Sequence, residues 1–231
     1  MIKKPIGVFI SGRGSNLESI INACKDENFP AKVVCVFSDN ANAAGLQFAS
    51  KNNIDTHTLD LNNFDNKGHY EEEILKLLKP YNIKLICLAG YMKIITDKLI
   101  NSFPNRIINI HPSLLPKFKG LNTHQRALDA KEVESGCSVH YVNSKVDDGK
   151  IIMQTTVPIE ETDTYQRALD AQEVESGCSV HYVSSKVDDG KIIMQTSVAI
   201  EKTDNADTLS KKVLKAEHKL YPASIIKLLR K

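Results

Sequence analysis

The chain has 231 residues, 42% of them apolar, enough to bury a sizeable core as one domain or a domain with an appendage, and its composition does not point to disorder. Lys and Arg number 30 against 28 Asp and Glu, and the resulting net charge of +2 is too balanced for a nucleic-acid surface or a membrane patch, while small anionic substrates stay open. No apolar run approaches a membrane span, the run that follows Met1-Ile2-Lys3-Lys4-Pro5 is too short for a signal-peptide core, and a cytoplasmic protein is expected.

Ile6 to Ile10 predicts a buried strand, Ser11 to Asn16 a glycine turn, and Leu17 to Ala23 an amphipathic helix. Strand, glycine turn and helix start make an anion site, since backbone N–H groups at a helix N-terminus point at a phosphate and Gly12 and Gly14 let it come close. Leu17 stands where the third glycine of a dinucleotide fingerprint would be, so a single phosphate fits better. The alternative is a tight connection capped by Ser15 or Asn16.

Lys32 to Ser38 reads as a strand, Ala44 to Lys51 as a helix, Asp55 to Leu59 as a short strand and Tyr70 to Leu78 as a helix. Pro80-Tyr81-Asn82 ends that helix, and Lys84 to Gly90 is the most apolar strand. This alternation predicts an α/β fold with a mostly parallel sheet and helices on both faces. Gly90 to Ile95 then forms an apolar loop before a helix from Thr96 to Ser102. Met92 and Ile94 either line a lip for a flat heterocycle or are plain core.

Arg106-Ile107-Ile108 predicts a buried strand that ends where Asn109-Ile110-His111-Pro112 begins. Side chains alternate along a strand, so Asn109 and His111 share a side at the carboxyl edge, where open α/β sheets place their ligands. The pair suits acyl-type chemistry: an amide N–H holds an oxygen that becomes negative, and an imidazole moves a proton near neutral pH. A hydrogen-bonded structural histidine is the alternative.

Residues Thr123 to Asp163 recur as Thr164 to Asp204, identical at all but six of 41 positions. Two copies beside a non-repeating α/β half do not make a solenoid, and the second reads as an inserted duplicate of a helix-strand-turn-strand unit. In each unit Ser-Val-His-Tyr-Val alternates as a strand, and Asp147-Asp148-Gly149 or Asp188-Asp189-Gly190 turns the chain. One Asp of that turn either only turns the chain or reaches the catalytic histidine and stabilises its imidazolium. Cys24, Cys35, Cys87, Cys137 and Cys178 have no C-x-x-C spacing and read as buried reduced thiols, neither metal ligands nor nucleophiles.

Together I-S-G-R-G-S-N-L, L-A-G-Y-M-K-I-I, N-I-H-P-S-L-L-P-K-F-K-G-L-N-T-H, S-V-H-Y-V and V-D-D-G closely resemble the phosphoribosylglycinamide formyltransferase family of purine synthesis. The resemblance runs from Ile6 to Asp163 and resumes from Asp207, leaving one repeat copy surplus. It implies a Rossmann-like three-layer formyltransferase fold with an antiparallel C-terminal portion. The implied reaction is formyl transfer from 10-formyltetrahydrofolate, a co-substrate, to the amine of the ribotide glycinamide, with no metal. By the same resemblance Gly14, Ser15 and Asn16 form the ribotide phosphate loop and Glu217, on a helix from Thr208 to Leu220, is a substrate ligand. Met92, Lys93, Ile94 and Ile95 form the pterin lip, with Lys67 and Asn109 as further folate contacts. His111 is the proton donor, and its carboxylate partner is Asp147 or, in the other copy, Asp188. The first copy is preferred because it follows directly from the Asn109 stretch and keeps His124 where the second has Tyr165.

The partners expected are small molecules alone, acted on by a monomer or homodimer. A tRNA formyltransferase would carry a further basic domain, and a 10-formyltetrahydrofolate hydrolase an N-terminal regulatory one. The rival of another class is a non-catalytic binding protein disabled by the duplication.

Overall fold

The computed structural model describes residues 2–113, 115–130, 134–141, 151–158, 176–182, 192–198 and 206–230. The first half alternates as β1 (Lys4–Ile10), α1 (Ser15–Cys24), β2 (Ala31–Ser38), α2 (Ala44–Lys51), β3 (Asp55–Thr58), α3 (Lys67–Leu78), β4 (Leu85–Leu88), α4 (Asp97–Ser102) and β5 (Ile107–His111). Then follow α5 (Thr123–Asp129), β6 (Glu134–Tyr141), β7 (Ile151–Pro158), β8 (Ser176–Tyr182), β9 (Ile192–Val198) and the long α6 (Ala206–Leu229).

Seven strands form one sheet in the order β3-β2-β1-β4-β5-β8-β9, and β6 and β7 pair separately. The first five are mutually parallel, while β8 joins β5 and β9 joins β8 antiparallel. This is the mostly parallel α/β sheet with an antiparallel C-terminal part that the sequence predicts. The chain winds outward from β1 to β3 and then crosses to β4 and β5, so the order reverses between β1 and β4. Such a reversal opens a crevice at the carboxyl ends of the two strands.

Strand alternation divides the core between the two faces of the sheet. Ile6, Val8 and Ile10 of β1, Leu85 and Cys87 of β4, and Ile108 and Ile110 of β5 face α1, α2 and α6. Phe9, Ile86, Leu88 and Ile107 face the other way, onto Tyr70, Ile74 and Leu78 of α3 and Leu99 of α4. Both faces are covered, which is why β1 and β4 are nearly continuous apolar runs. Each fully buried Ile or Leu contributes roughly 1.5–3 kcal/mol through removal from water.

Several boundaries differ from the sequence reading, and for three of them the structure gives the reason. Helix α3 starts at Lys67 because the Asn66 side chain caps it, accepting from the His69 N–H at 3.0 Å. Strand β5 runs on to His111 because β8 pairs with it in the register Asn109↔His181 and His111↔Ser179. Helix α6 continues past Leu220 through Pro222 to Leu229, and its buried Tyr221, Ile225 and Leu229 supply the packing that keeps it going.

The strand beside β5 belongs to the second repeat copy, not the first. The β6–β7 pair of the first copy lies close to β5, β8 and β9 without joining their sheet. The preference for the first copy thus finds no support in the strand pairing. The helix expected in the second copy falls outside the described residues.

Tyr221 ties α6 to the sheet centre, its buried hydroxyl lying 2.9 Å from the Leu88 carbonyl and 3.2 Å from that of Ile108. Replacing Tyr221 by Phe keeps the ring and removes this link between β4, β5 and α6. The expected cost is about 1–2 kcal/mol, read as a lower urea midpoint with an unchanged slope.

Candidate active site

At the carboxyl ends of β1 and β4 two loops emerge side by side. Ala89 N–H donates to Phe9 O at 2.8 Å and Ser11 N–H to Gly90 O at 3.2 Å, so the strands stay paired up to the point where the loops diverge.

The loop after β1 leads into α1 through Gly14, whose φ of 77° lies in the left-handed region that favours glycine. A side chain there is excluded twice over, because a Cβ would meet the Gly45 Cα at 2.7 Å. No side chain caps α1. Ser15 and Asn16 are its first helical residues, which sets aside the capping alternative and leaves the helix start facing the crevice with its N–H groups and positive dipole end.

Asn16 turns its side chain toward α6. Its Nδ2 donates to Glu217 Oε2 at 2.7 Å, while its buried Oδ1 has no hydrogen-bond partner among the described residues. Glu217 is itself buried, and burial pushes its carboxyl up to about 7, the Asn16 bond opposing the rise without cancelling it. Residues 201 positions apart therefore meet at the start of α1.

The loop after β4 is anchored at its root and along its length. Tyr91 packs edge-on against Phe9 with ring centroids 5.4 Å apart, and its hydroxyl meets that of Tyr70 at 3.2 Å. The buried Glu71 carboxylate accepts from Thr96 N–H at 2.7 Å, Thr96 Oγ1 at 2.5 Å and Leu99 N–H at 3.2 Å, holding the far end of the loop onto α3. Between these anchors Met92 is 64% and Ile94 50% exposed, whereas Ile95 is buried in the core. Two apolar side chains are thus presented to solvent from a fixed backbone, which favours the lip reading over plain core. Lys93 turns to Asp39, its Nζ 3.6 Å from Oδ2. Lys67 is exposed in the first turn of α3.

On β5, Ile107 belongs to one core cluster and Ile108 and Ile110 to the other, so Asn109 and His111 share the side of Ile107. His111 is 7% exposed, and its Nε2 lies 3.2 Å from the Phe118 carbonyl. The covering loop is pinned by Ser113 Oγ donating to Lys117 O at 2.9 Å and Thr123 Oγ1 donating to Pro112 O at 2.8 Å. Asp147 and Asp188 lie outside the described residues.

Burial pushes the Cys24 thiol up to about 11 and the Cys35 thiol up to about 12, and raises Cys87 well above its usual range, so all three are protonated at neutral pH. Among the described residues no cluster of three or more His, Cys, Asp or Glu has the makings of a metal site, and no helix is long and apolar enough to cross a membrane. Sequence reasoning missed Ser11, Asp39 and Glu71. Ser11 stood inside a quoted motif, but only the fold shows what its hydroxyl meets.

A formyl transferase family profile matches residues 4–166 and 162–225, reaching through the first copy and then again over the second copy and α6. The phosphoribosylglycinamide formyltransferase of Haemophilus influenzae is 47% identical over 156 residues, 68% of this chain and 74% of that one. The trifunctional purine biosynthetic protein adenosine-3 of Drosophila pseudoobscura pseudoobscura is 43% identical over 159 residues, 68% of this chain and 12% of that protein. The crystal structure of phosphoribosylglycinamide formyltransferase from Brucella melitensis superposes with a TM-score of 0.78 at 36% identity, covering 100% of this chain and 97% of that one.

Glu217 makes stability depend on pH. Its carboxyl is raised from 4.5 to about 7, so the folded state binds the extra proton between those values and stability falls as pH rises through that window. Glu217→Gln has no such proton to lose. Relative to the wild type, the variant is expected to gain stability from pH 4.5 to 7, by up to about 3 kcal/mol at about 1.4 kcal/mol per pH unit. Urea unfolding of both proteins across that range measures the difference.

Proposed function

The chain belongs to the formyl transferase family, and from that premise we propose that it transfers a formyl group from 10-formyltetrahydrofolate to the amine of 5-phosphoribosylglycinamide, in purine biosynthesis. The observation that carries this reading is that a single sheet edge bears an uncapped helix start, an exposed apolar lip and the Asn109–His111 pair. One phosphate, one flat heterocycle and one acyl centre suit those three features in turn.

The chemistry then follows residue by residue. The backbone N–H groups after Gly14, at Ser15 and Asn16, hold the ribotide phosphate. Asn16 Oδ1 and Glu217, two buried acceptors side by side, suit the N–H groups of a glycinamide. Met92 and Ile94 bracket the pterin, with Lys93, Ile95 and Lys67 supporting the folate. As the amine attacks the formyl carbon, Asn109 donates to the oxygen that becomes negative, and protonated His111 stabilises it and supplies the proton for the departing folate nitrogen. Holding both substrates in one crevice supplies much of the acceleration.

His111 needs a carboxylate partner to favour its charged form. Pairing of β8 with Asn109 and His111 supports drawing that partner from the segment joining β8 to β9, hence Asp188 rather than Asp147. The reading extends to a cytoplasmic enzyme, monomeric or homodimeric, that handles small molecules and no nucleic acid, in keeping with its nearly balanced charge.

Loss of 10-formyltetrahydrofolate is expected only when the ribotide is present. Equal loss without it indicates a hydrolase, and no loss in either case a binding protein. His111→Asn is expected to lower kcat by about 10²- to 10⁴-fold with little change in either KM. Asp188→Asn should approach that loss while Asp147→Asn stays close to the wild type, and the reverse ranking assigns the partner to the first copy.

A further inference from the structure

Ser11 stands between β1 and the anion loop, and its hydroxyl serves two neighbours at once. It accepts from Met92 N–H at 2.8 Å and donates to Asp39 Oδ1 at 2.5 Å. Asp39, at the end of β2, has its side chain only 8% exposed, and its second oxygen Oδ2 faces Lys93 Nζ at 3.6 Å. Asn40 adds a longer bond from its Nδ2 to Ser11 O at 3.4 Å. One carboxylate thus grips the β1 loop through Ser11 and the β4 loop twice, at the Met92 backbone through Ser11 and at the Lys93 side chain directly.

These contacts differ in strength. Lys93 is 44% exposed, so its ion pair is screened by water and salt and holds the loop only weakly. The Ser11 bond goes to a charged acceptor that water barely reaches, and charge-assisted bonds of that kind are about twice as strong as neutral ones. It also fixes the hydroxyl rotor so that a lone pair is turned toward Met92 N–H. Without the carboxylate the hydroxyl is free to rotate and the Met92 N–H bond to it loses its fixed direction.

We propose that Asp39 is a positioning residue that locks the Met92–Ile94 lip to the anion loop through Ser11, and so sets the affinity for the flat apolar substrate without touching it. The inference rests on the formyl-transfer reading for which substrate the lip holds, but the lock itself is a property of the fold. Among the described residues, the hydrogen bond and ion pair of the Asp39 side chain go to Ser11 and Lys93, not to Asn109, His111 or Glu217. Its removal is therefore expected to act on lip binding and to spare the chemical step and the ribotide.

The test compares Asp39→Ala, Asp39→Asn and Ser11→Ala by steady-state kinetics in both substrates and by hydrogen exchange at the Met92 amide. Asp39→Ala is expected to raise KM for 10-formyltetrahydrofolate about tenfold, with KM for the ribotide within about twofold and kcat nearly unchanged. Asp39→Asn keeps an acceptor for Ser11 and should recover most of that loss. Ser11→Ala should match Asp39→Ala, and the double variant should be no worse than either alone, since both break one linked set of bonds. Met92 amide exchange should speed up about tenfold in Asp39→Ala while the Asn16 amide is unaffected.

A fall in kcat, an equal rise in both KM values, or unchanged exchange at Met92 overturns the proposal. If the wild type shows no ribotide-dependent transfer, the functional reading fails, and the exchange data then decide the lock alone. If Asp39→Ala does not fold, Ser11→Ala carries the same comparison.

Discussion

The parallel pairing of β1 with β4 is the constraint on which the site depends. Ile6 to Phe9 lie in register with Leu85 to Leu88, which brings together the two strands at which the winding of the sheet reverses. Loops that leave neighbouring parallel strands at a reversal turn to opposite faces and open a crevice between them. Here one loop enters α1 and the other leads over the top of α3 to α4. The glycine loop before α1 and the exposed apolar loop after β4 are adjacent for that reason, although Gly14 and Gly90 are 76 positions apart.

Buried polar groups then fix what the crevice displays. Glu71 accepts three hydrogen bonds from Thr96 and Leu99 at the far end of the lip, Asp39 holds its middle through Ser11, and Asn16 and Glu217 join the start of α1 to α6. Each such carboxylate is costly to bury alone and becomes tolerable once bonded, so each specifies one arrangement of its loop more than it adds stability. Glu217 is the exception in degree. One neutral donor does not offset its burial, which leaves its carboxyl raised to about 7.

The duplication bears on the site through β5. That strand offers a single free edge, on the side away from β4, and the second copy's β8 occupies it, extending the strand through Asn109 and His111. The two copies are nearly identical in sequence, so local preference does not choose between them. The connections differ: the second copy runs directly into α6, which packs on β8 and β9 and reaches α1, whereas the first follows β5 through α5.

The sequence by itself determined the alternation of strands and helices, the glycine turn after β1, and the shared side of Asn109 and His111. All three depend on local rules: apolar period, glycine freedom and strand alternation. The family resemblance added Glu217 and the lip. Tertiary structure decided the rest, because it turned on which distant groups meet. Ile95 goes to the core while Met92 and Ile94 stay out, β8 and not β6 takes the edge of β5, and Ser11 finds Asp39 across 28 positions. An aspartate after a strand has no sequence mark that separates a turn residue from one whose two oxygens hold two loops. Only the sheet order, which sets β2 beside β1 and β1 beside β4, puts that carboxylate between them.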